Sequence, residues 1–198
     1  MLAPVRSYGN LEDIFEFDLR ECKFLGEGHN GIVYLLPDGR VIKIFKDSKN
    51  CKKEYLILKG ASGSKYFPRA YLRGGNYIIR DYVGGVCAKD YIKKNGLSRK
   101  LACNMLDLLE EFKRLKFTKL DIRCRDLFVQ DDESIVVIDP KSSYSRNIDF
   151  PRHLAKGLAK LNVLGQFLDA VKSRNPELYD TWTQKLSKAG ILKKKDTQ

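Results

Sequence analysis

The chain is poor in the residues that build metal and acyl-transfer centres. It has only two histidines, His29 and His153, and its five cysteines (Cys22, Cys51, Cys87, Cys103 and Cys124) show no CxxC spacing. That argues against a zinc framework. No Ser/His/Asp or Cys/His arrangement emerges that would support acyl transfer. An odd cysteine count does not suit a complete disulfide set and fits a reducing compartment. No apolar run approaches the roughly 18 residues needed to span a bilayer. Glu12, Asp13, Glu16 and Asp18 near the start are not what a secretory signal contains. Aromatic residues do not interleave with basic ones as they do on a nucleic-acid platform. The expectation is a cytoplasmic protein with no membrane partner and with nucleic acid disfavoured as the main ligand.

What is present is a folded composition with a charge bias. The 198 residues are 43% hydrophobic and 11% aromatic, enough for one domain or two small lobes with a real core. The 37 basic and 25 acidic residues leave a formal charge of +12. That bias favours a polyanionic partner, nucleotide phosphates among them. Part of it sits at the end of the chain, in Lys193, Lys194 and Lys195.

The pattern along the chain changes once. Residues 10–18 read as a short helix. Glu21–Leu25 and Ile32–Leu36 read as strands, Pro37-Asp38-Gly39-Arg40 as a tight turn, and Val41–Phe45 as a third strand. Asn50–Leu58 reads as a helix with Tyr55, Leu56 and Leu58 on its apolar side. Residues 60–66 read as a loop, and Tyr66–Leu72 and Tyr77–Tyr82 as two more strands. After Gly84-Gly85 helices take over: a short one over Lys89–Lys94, then a long one capped by Ser98 and running to about Lys116. The long helix places Leu101, Met105, Leu108, Leu109 and Phe112 on one face. Leu127–Val129 and Ile135–Ile138 are short strands around the acidic turn at 131–133. Residues 151–173 and Asn175–Leu186 read as the last helices, with Pro151 suited to a first helical position. The fold class is α+β, with residues 1–83 mostly β and residues 84–198 mostly α.

Two stretches carry chemistry. Gly26–Val33 fits GxGxxGxV, a pattern that also marks dinucleotide-binding turns. Here it runs into the strand Ile32-Val33-Tyr34-Leu35-Leu36 rather than a helix. That context favours a glycine flap lying over phosphates, where side chains would hold the backbone amides away from the oxygens. Lys43 sits inside an apolar strand and, if turned inward, needs an anion beside it. ATP phosphates and Glu54, eleven residues on, are the candidates. Asp121 and Asp126 lie five residues apart, and Asp139 follows thirteen later, before Pro140. Carboxylates so spaced suit one base and two ligands around a Mg²⁺-triphosphate, with Arg123 stabilising transferred charge. His29 at the loop tip and His153 read as solvated or structural. Cys124 has arginines on both sides, which would lower its pKa.

In their order and spacing, these residues resemble the protein kinase-like superfamily over roughly residues 20–145. The resemblance implies a two-lobed fold, with an antiparallel N-terminal lobe over 1–83 and a reduced helical C-terminal lobe over 84–198. It implies ATP and Mg²⁺ as cofactors. Gly26, Gly28, Gly31 and Val33 would form the glycine loop, Lys43 and Glu54 the ion pair, and Ile78–Gly85 the adenine-binding segment, through Asp81 and Val83. Asp121 and Arg123 would be catalytic, and Asp126 and Asp139 would hold metal. The chain also departs from the family pattern. His-Arg-Asp reads Lys119-Leu120-Asp121, Asp126 replaces an Asn, Asp139 is followed by Pro140-Lys141, and Arg80 stands where the family has an apolar residue. These features are similar to compact atypical members, RIO-like or small bacterial serine/threonine kinases. A small-molecule phosphotransferase, like the aminoglycoside kinases, and a nucleotide-binding pseudokinase acting through a partner surface are the alternatives. The acceptor would be a hydroxyl on a protein or small molecule.

Overall fold

Pro37 and Gly39 set the second hairpin. Gly39 takes φ +83°, its N–H donates to the Leu36 carbonyl at 3.0 Å, and Leu36 N–H donates to the Arg40 carbonyl at 2.8 Å. Asp38 accepts from the Arg40 backbone at 3.0 Å, and the Arg40 side chain holds the Asp38 carboxyl below its ordinary range. In the computed structural model, which describes residue 19 and residues 21–140 and 147–192, this turn joins β2 (Gly31–Leu35) to β3 (Arg40–Phe45). With β1 (Lys23–Gly28), β4 (Ala70–Arg73) and β5 (Tyr77–Asp81) they form an antiparallel sheet of order β1-β2-β3-β5-β4. The helix expected over residues 10–18 lies outside the described residues, as do Lys193–Lys195.

The central strand β3 is covered on both sides. Ile42 and Ile44 pack with Cys22, Leu36, Tyr77 and Ile79 in a small cluster. Val41 and Lys43, two residues apart, share the opposite face. Helix α1 (Ser48–Gly60) starts at Asp47, whose side chain accepts from Lys49 N–H at 2.9 Å. It buries Cys51, Glu54, Ile57 and Leu58, while Leu56 is 58% exposed. The apolar side read from sequence is therefore corrected. Turning Glu54 toward Lys43 fixes the helix rotation, and Leu56, about 200° around the axis from Glu54, must face out.

The strand expected from Tyr66 begins at Ala70 instead. Pro68 lacks the N–H that a sheet ladder needs, and Tyr66 and Phe67 are buried as packing groups. Phe67 lies 6.1 Å from Phe112 and 5.9 Å from Phe117, centroid to centroid. The Tyr66 carbonyl accepts from Val137 N–H at 2.8 Å.

A second, three-stranded sheet joins β6 (Val86–Cys87), β7 (Leu127–Val129) and β8 (Ile135–Val137). Its strand β6 has no signal in the sequence beyond a single Val. The remaining helices are α2 (Ala88–Asn95), α3 (Arg99–Arg114), α4 (Arg152–Lys160), α5 (Leu164–Arg174) and α6 (Pro176–Lys188); α2 packs on β6 and β7, and α5 packs on α3, α4 and α6. Ser98 caps α3 by accepting from Leu101 N–H at 2.9 Å, and the five residues expected on its apolar face are all buried. The single helix expected over 151–173 is broken, because Asn162 takes φ +56°, a left-handed geometry that ends one helix before the next begins. One hydrophobic cluster runs from Phe45, Ile57 and Leu58 through Leu101 and Met105 to Phe167 and Trp182. Among the described residues, no helix is long and apolar enough to cross a membrane.

Candidate active site

A cavity of about 370 Å³ lies between the two sheets. The glycine hairpin forms one end. Gly28 pairs with Gly31 across the β1–β2 tip, and Gly26, Gly28, His29, Gly31 and Val33 all line the space. The glycines have different causes. A Cβ on Gly31 would sit 1.9 Å from the Ile44 carbonyl oxygen, so the protein's own packing forbids one. A Cβ on Gly26 or Gly28 would meet nothing within 4 Å. Packing does not demand glycine there, whereas close approach of a ligand to the backbone would.

Lys43 also lines the cavity. Its ammonium donates to Glu54 Oε2 at 2.7 Å and Oε1 at 2.9 Å and lies 3.5 Å from Asp139 Oδ1. It sits 4.7 Å from the Phe45 ring centroid. Lys43 and Glu54 are buried, at 7% and 4% exposure, and burial pushes the Glu54 carboxyl up against the opposing pull of Lys43. Residues far apart in sequence thus meet as a lysine between two acids, with Asp139 on the cavity wall. Such an arrangement holds an ammonium rigidly while leaving it able to face a further anion.

Arg80 and Val83 line the same cavity, and Asp81 does not. The Asp81 carboxylate faces away, accepting from Arg69 N–H at 2.8 Å and from the Tyr71 hydroxyl at 2.7 Å. Its backbone carbonyl accepts from Arg80 Nη1 at 2.9 Å. Arg80 is 6% exposed, and its Nε is the only buried side-chain nitrogen or oxygen without a hydrogen-bond partner among the described residues. Burial pulls its guanidinium below the ordinary value, with Glu54, Asp139 and Asp81 pulling back.

The other three expected residues lie beyond the cavity lining. Asp121 is buried, and its carboxylate caps α4 from a distance. Oδ1 accepts from His153 N–H at 2.8 Å and Leu154 N–H at 3.3 Å, and Oδ2 meets His153 Nδ1. Pro151, at the cap position of α4, makes no side-chain cap of its own, so Asp121 supplies what the local sequence lacks. His153, read from sequence as structural or solvated, is half-exposed and paired with Asp121. No local signal joins positions 121 and 153, and the pairing exists only through the tertiary fold. Arg123 is exposed. Asp126 is half-buried in a single 3-10 turn, Cys124–Asp126, and its carbonyl accepts from Ile138 N–H at 3.1 Å, beside Asp139. Cys124 reverses the sequence expectation. Its thiol is buried against α4, 3.9 Å from the Leu154 carbonyl, and burial pushes its pKa up to about 12.

No family model matches the chain. Over 125 residues it is 24% identical to a Bacillus subtilis (strain 168) protein named "Putative serine/threonine-protein kinase YrzF", a match covering 60% of this chain and 58% of that one. The chain therefore spans less than two thirds of the length of the relative it matches. The likeness suggests a kinase-like protein, and the antiparallel sheet with its helices is compatible with a small kinase-like fold.

Proposed function

We propose that the chain is an ATP- and Mg²⁺-dependent phosphotransferase, an atypical serine/threonine protein kinase of two lobes meeting at Gly84-Gly85. The observation that carries this reading is Lys43, held between Glu54 at 2.7 Å and Asp139 at 3.5 Å on the wall of a cavity whose other end is a glycine hairpin. A triphosphate laid under Gly26–Gly31 brings its oxygens to backbone amides and to the Lys43 ammonium together.

The donor set fits Mg²⁺. Among the described residues no three acids, histidines or cysteines gather as an all-protein metal cage. Magnesium uses one or two carboxylates and completes its shell from phosphate oxygens and water. Asp139, with Asp126 beside it, would hold the ion, which when bound neutralises charge on the transferred group. Lys43 orients the phosphates and Glu54 orients Lys43. Asp121 takes the proton of the acceptor hydroxyl, a step that requires the His153 ring to move off its carboxylate. The name of the Bacillus relative supports a serine or threonine acceptor.

One observation favours a second reading, a nucleotide-binding module without transfer. The Asp121 carboxylate already accepts from two α4 amides and an imidazole, a structural duty that needs no chemistry. Transfer of labelled γ-phosphate from ATP with Mg²⁺, onto the protein itself or to water, separates the two. Label transfer lost in both Lys43→Met and Asp121→Asn is the outcome expected of the kinase. ATP binding that needs Lys43, with no transfer in the unaltered chain, selects the module.

A further inference from the structure

Helix α4 carries charge of one sign. It contains no acid, and its exposed residues are Arg152, His153, Lys156 and Lys160. Arg152, Lys156 and Lys160 line one groove of about 280 Å³, together with Ala189, Gly190 and Ile191 just past α6. Among the described residues no carboxylate lines that groove, and none of the three cations has an ion-pair partner. The acids nearest the start of the helix are already engaged. Asp149 pairs with Lys185, and Asp121 accepts from two α4 amides and meets the His153 ring. On α3 the opposite holds, since Glu111 pairs with Arg114 and Asp107 with Arg174.

Lys156 stands four residues from Arg152 and four from Lys160, a spacing at which like charges on a helix repel. The helix gains nothing from that row by itself, whereas an anion laid along it meets all three cations. Four helical residues advance about 6.0 Å. Acidic side chains at alternate positions of an extended peptide recur about every 6.6 Å, a difference that long lysine and arginine stems absorb. No aromatic side chain among the described residues lines the groove, so it lacks the stacking surface that single-stranded nucleic acid uses. The row starts one residue from His153, the partner of Asp121, which brings one end of a bound segment toward the proposed base.

We infer that the α4 groove docks an acidic, extended segment of the acceptor protein, with Arg152, Lys156 and Lys160 as the residues that select it. This rests on the phosphotransfer reading above and narrows the acceptor to hydroxyls flanked by alternating acids. The three cations take no part in transfer itself, so removing them weakens acceptor docking and leaves turnover of bound acceptor alone.

The test uses the full chain and a labelled peptide of three alternating glutamates with a serine at each end, beside its glutamine counterpart. Binding is read by fluorescence anisotropy, and transfer by labelled γ-phosphate from ATP with Mg²⁺. The acidic peptide is expected to bind at least about tenfold more tightly than the neutral one. Arg152→Gln, Lys156→Gln and Lys160→Gln together are expected to erase that preference and to raise the acceptor KM about tenfold, with kcat within about twofold. Lys49→Gln, Lys52→Gln and Lys53→Gln, which remove three exposed cations from α1 instead, should change either quantity by no more than about twofold. Equal binding of the two peptides by the unaltered chain overturns the proposal without recourse to any variant, and so does an equal loss in the α1 variant; self-labelling by the same protein would leave the kinase reading intact. Tighter binding of a single-stranded oligonucleotide or an anionic phospholipid vesicle than of the acidic peptide, lost in the α4 variant, overturns the peptide in favour of that polyanion. Acidic-peptide binding that needs the α4 cations, with no label transferred to any acceptor, sinks the transfer reading and keeps the groove as a partner site.

Discussion

Two buried carboxylates, Glu54 and Asp121, show what burial means at different places in one protein. Glu54 is held by a side-chain cation, Lys43, which also touches Asp139 across the cavity. Asp121 is held by two backbone amides of α4 and a histidine ring. The first set consists of side-chain charges, one of which faces the cavity and could meet an incoming anion. The second is a helix cap, whose partners are fixed by the helix itself. Burial of an acid therefore marks a candidate ligand site only when its partner is free to change company.

The largest expected effect tests the first half of that contrast. Lys43→Met leaves Glu54 buried without its lysine and is expected to cost about 3–5 kcal/mol, read by urea unfolding, along with nucleotide binding. Pairing it with Glu54→Leu should return most of the stability and none of the binding. Recovery of binding in the double variant would sink the role of Lys43. Next is a comparison within the glycine hairpin. Gly31→Ala drives a Cβ into the Ile44 carbonyl and is expected to cost about 3 kcal/mol. Gly26→Ala and Gly28→Ala meet open space, so thermal melts should hardly move while nucleotide affinity falls. Equal loss of stability at all three positions would remove the distinction.

Asp121→Ala removes the α4 cap and should lower stability by about 2 kcal/mol, while His153→Ala, which leaves both amide bonds in place, should cost less. Melts that rank the two variants the other way would show that the imidazole, not the helix terminus, is what Asp121 serves. The smallest effect concerns Cys124. Its folded pKa is raised, so its contribution to stability is complete below its ordinary value near 9 and is lost as pH rises from there toward about 12. Thiol labelling at pH 8 should modify half-buried Cys87 and Cys103 and spare Cys124. Rapid modification of Cys124 in the folded protein would contradict its burial.

What was legible in the sequence follows from the range of the interactions involved. The Pro37–Arg40 turn, the Ser98 cap and the apolar face of α3 depend on neighbours within four positions, and the structure places them as read. Lys43 and Glu54 were legible as a pair because an inward lysine in an apolar strand calls for an anion. The rotation of α1 was misread because three apolar residues outweighed the one acid that sets it. Strand β4 was started too early because Tyr66 and Phe67 are apolar for packing, not for pairing. The placing of Asp121 was beyond reach, since the helix it caps begins thirty-one residues further on. The Cys124 environment failed for a similar reason: flanking arginines are visible in sequence, and the α4 backbone that buries the thiol is not.

The bond from Val137 N–H to the Tyr66 carbonyl has a consequence for how the lysine finds its partners. Residue 66 lies on the connection leaving α1, which carries Glu54, and Val137 ends the strand that delivers Asp139. The two acids thus belong to segments stitched to each other independently of Lys43. They form a jaw whose opening is braced by a backbone contact that does not involve the ammonium, so the spacing that lets a lysine bridge two distant acids has a support besides the charges themselves.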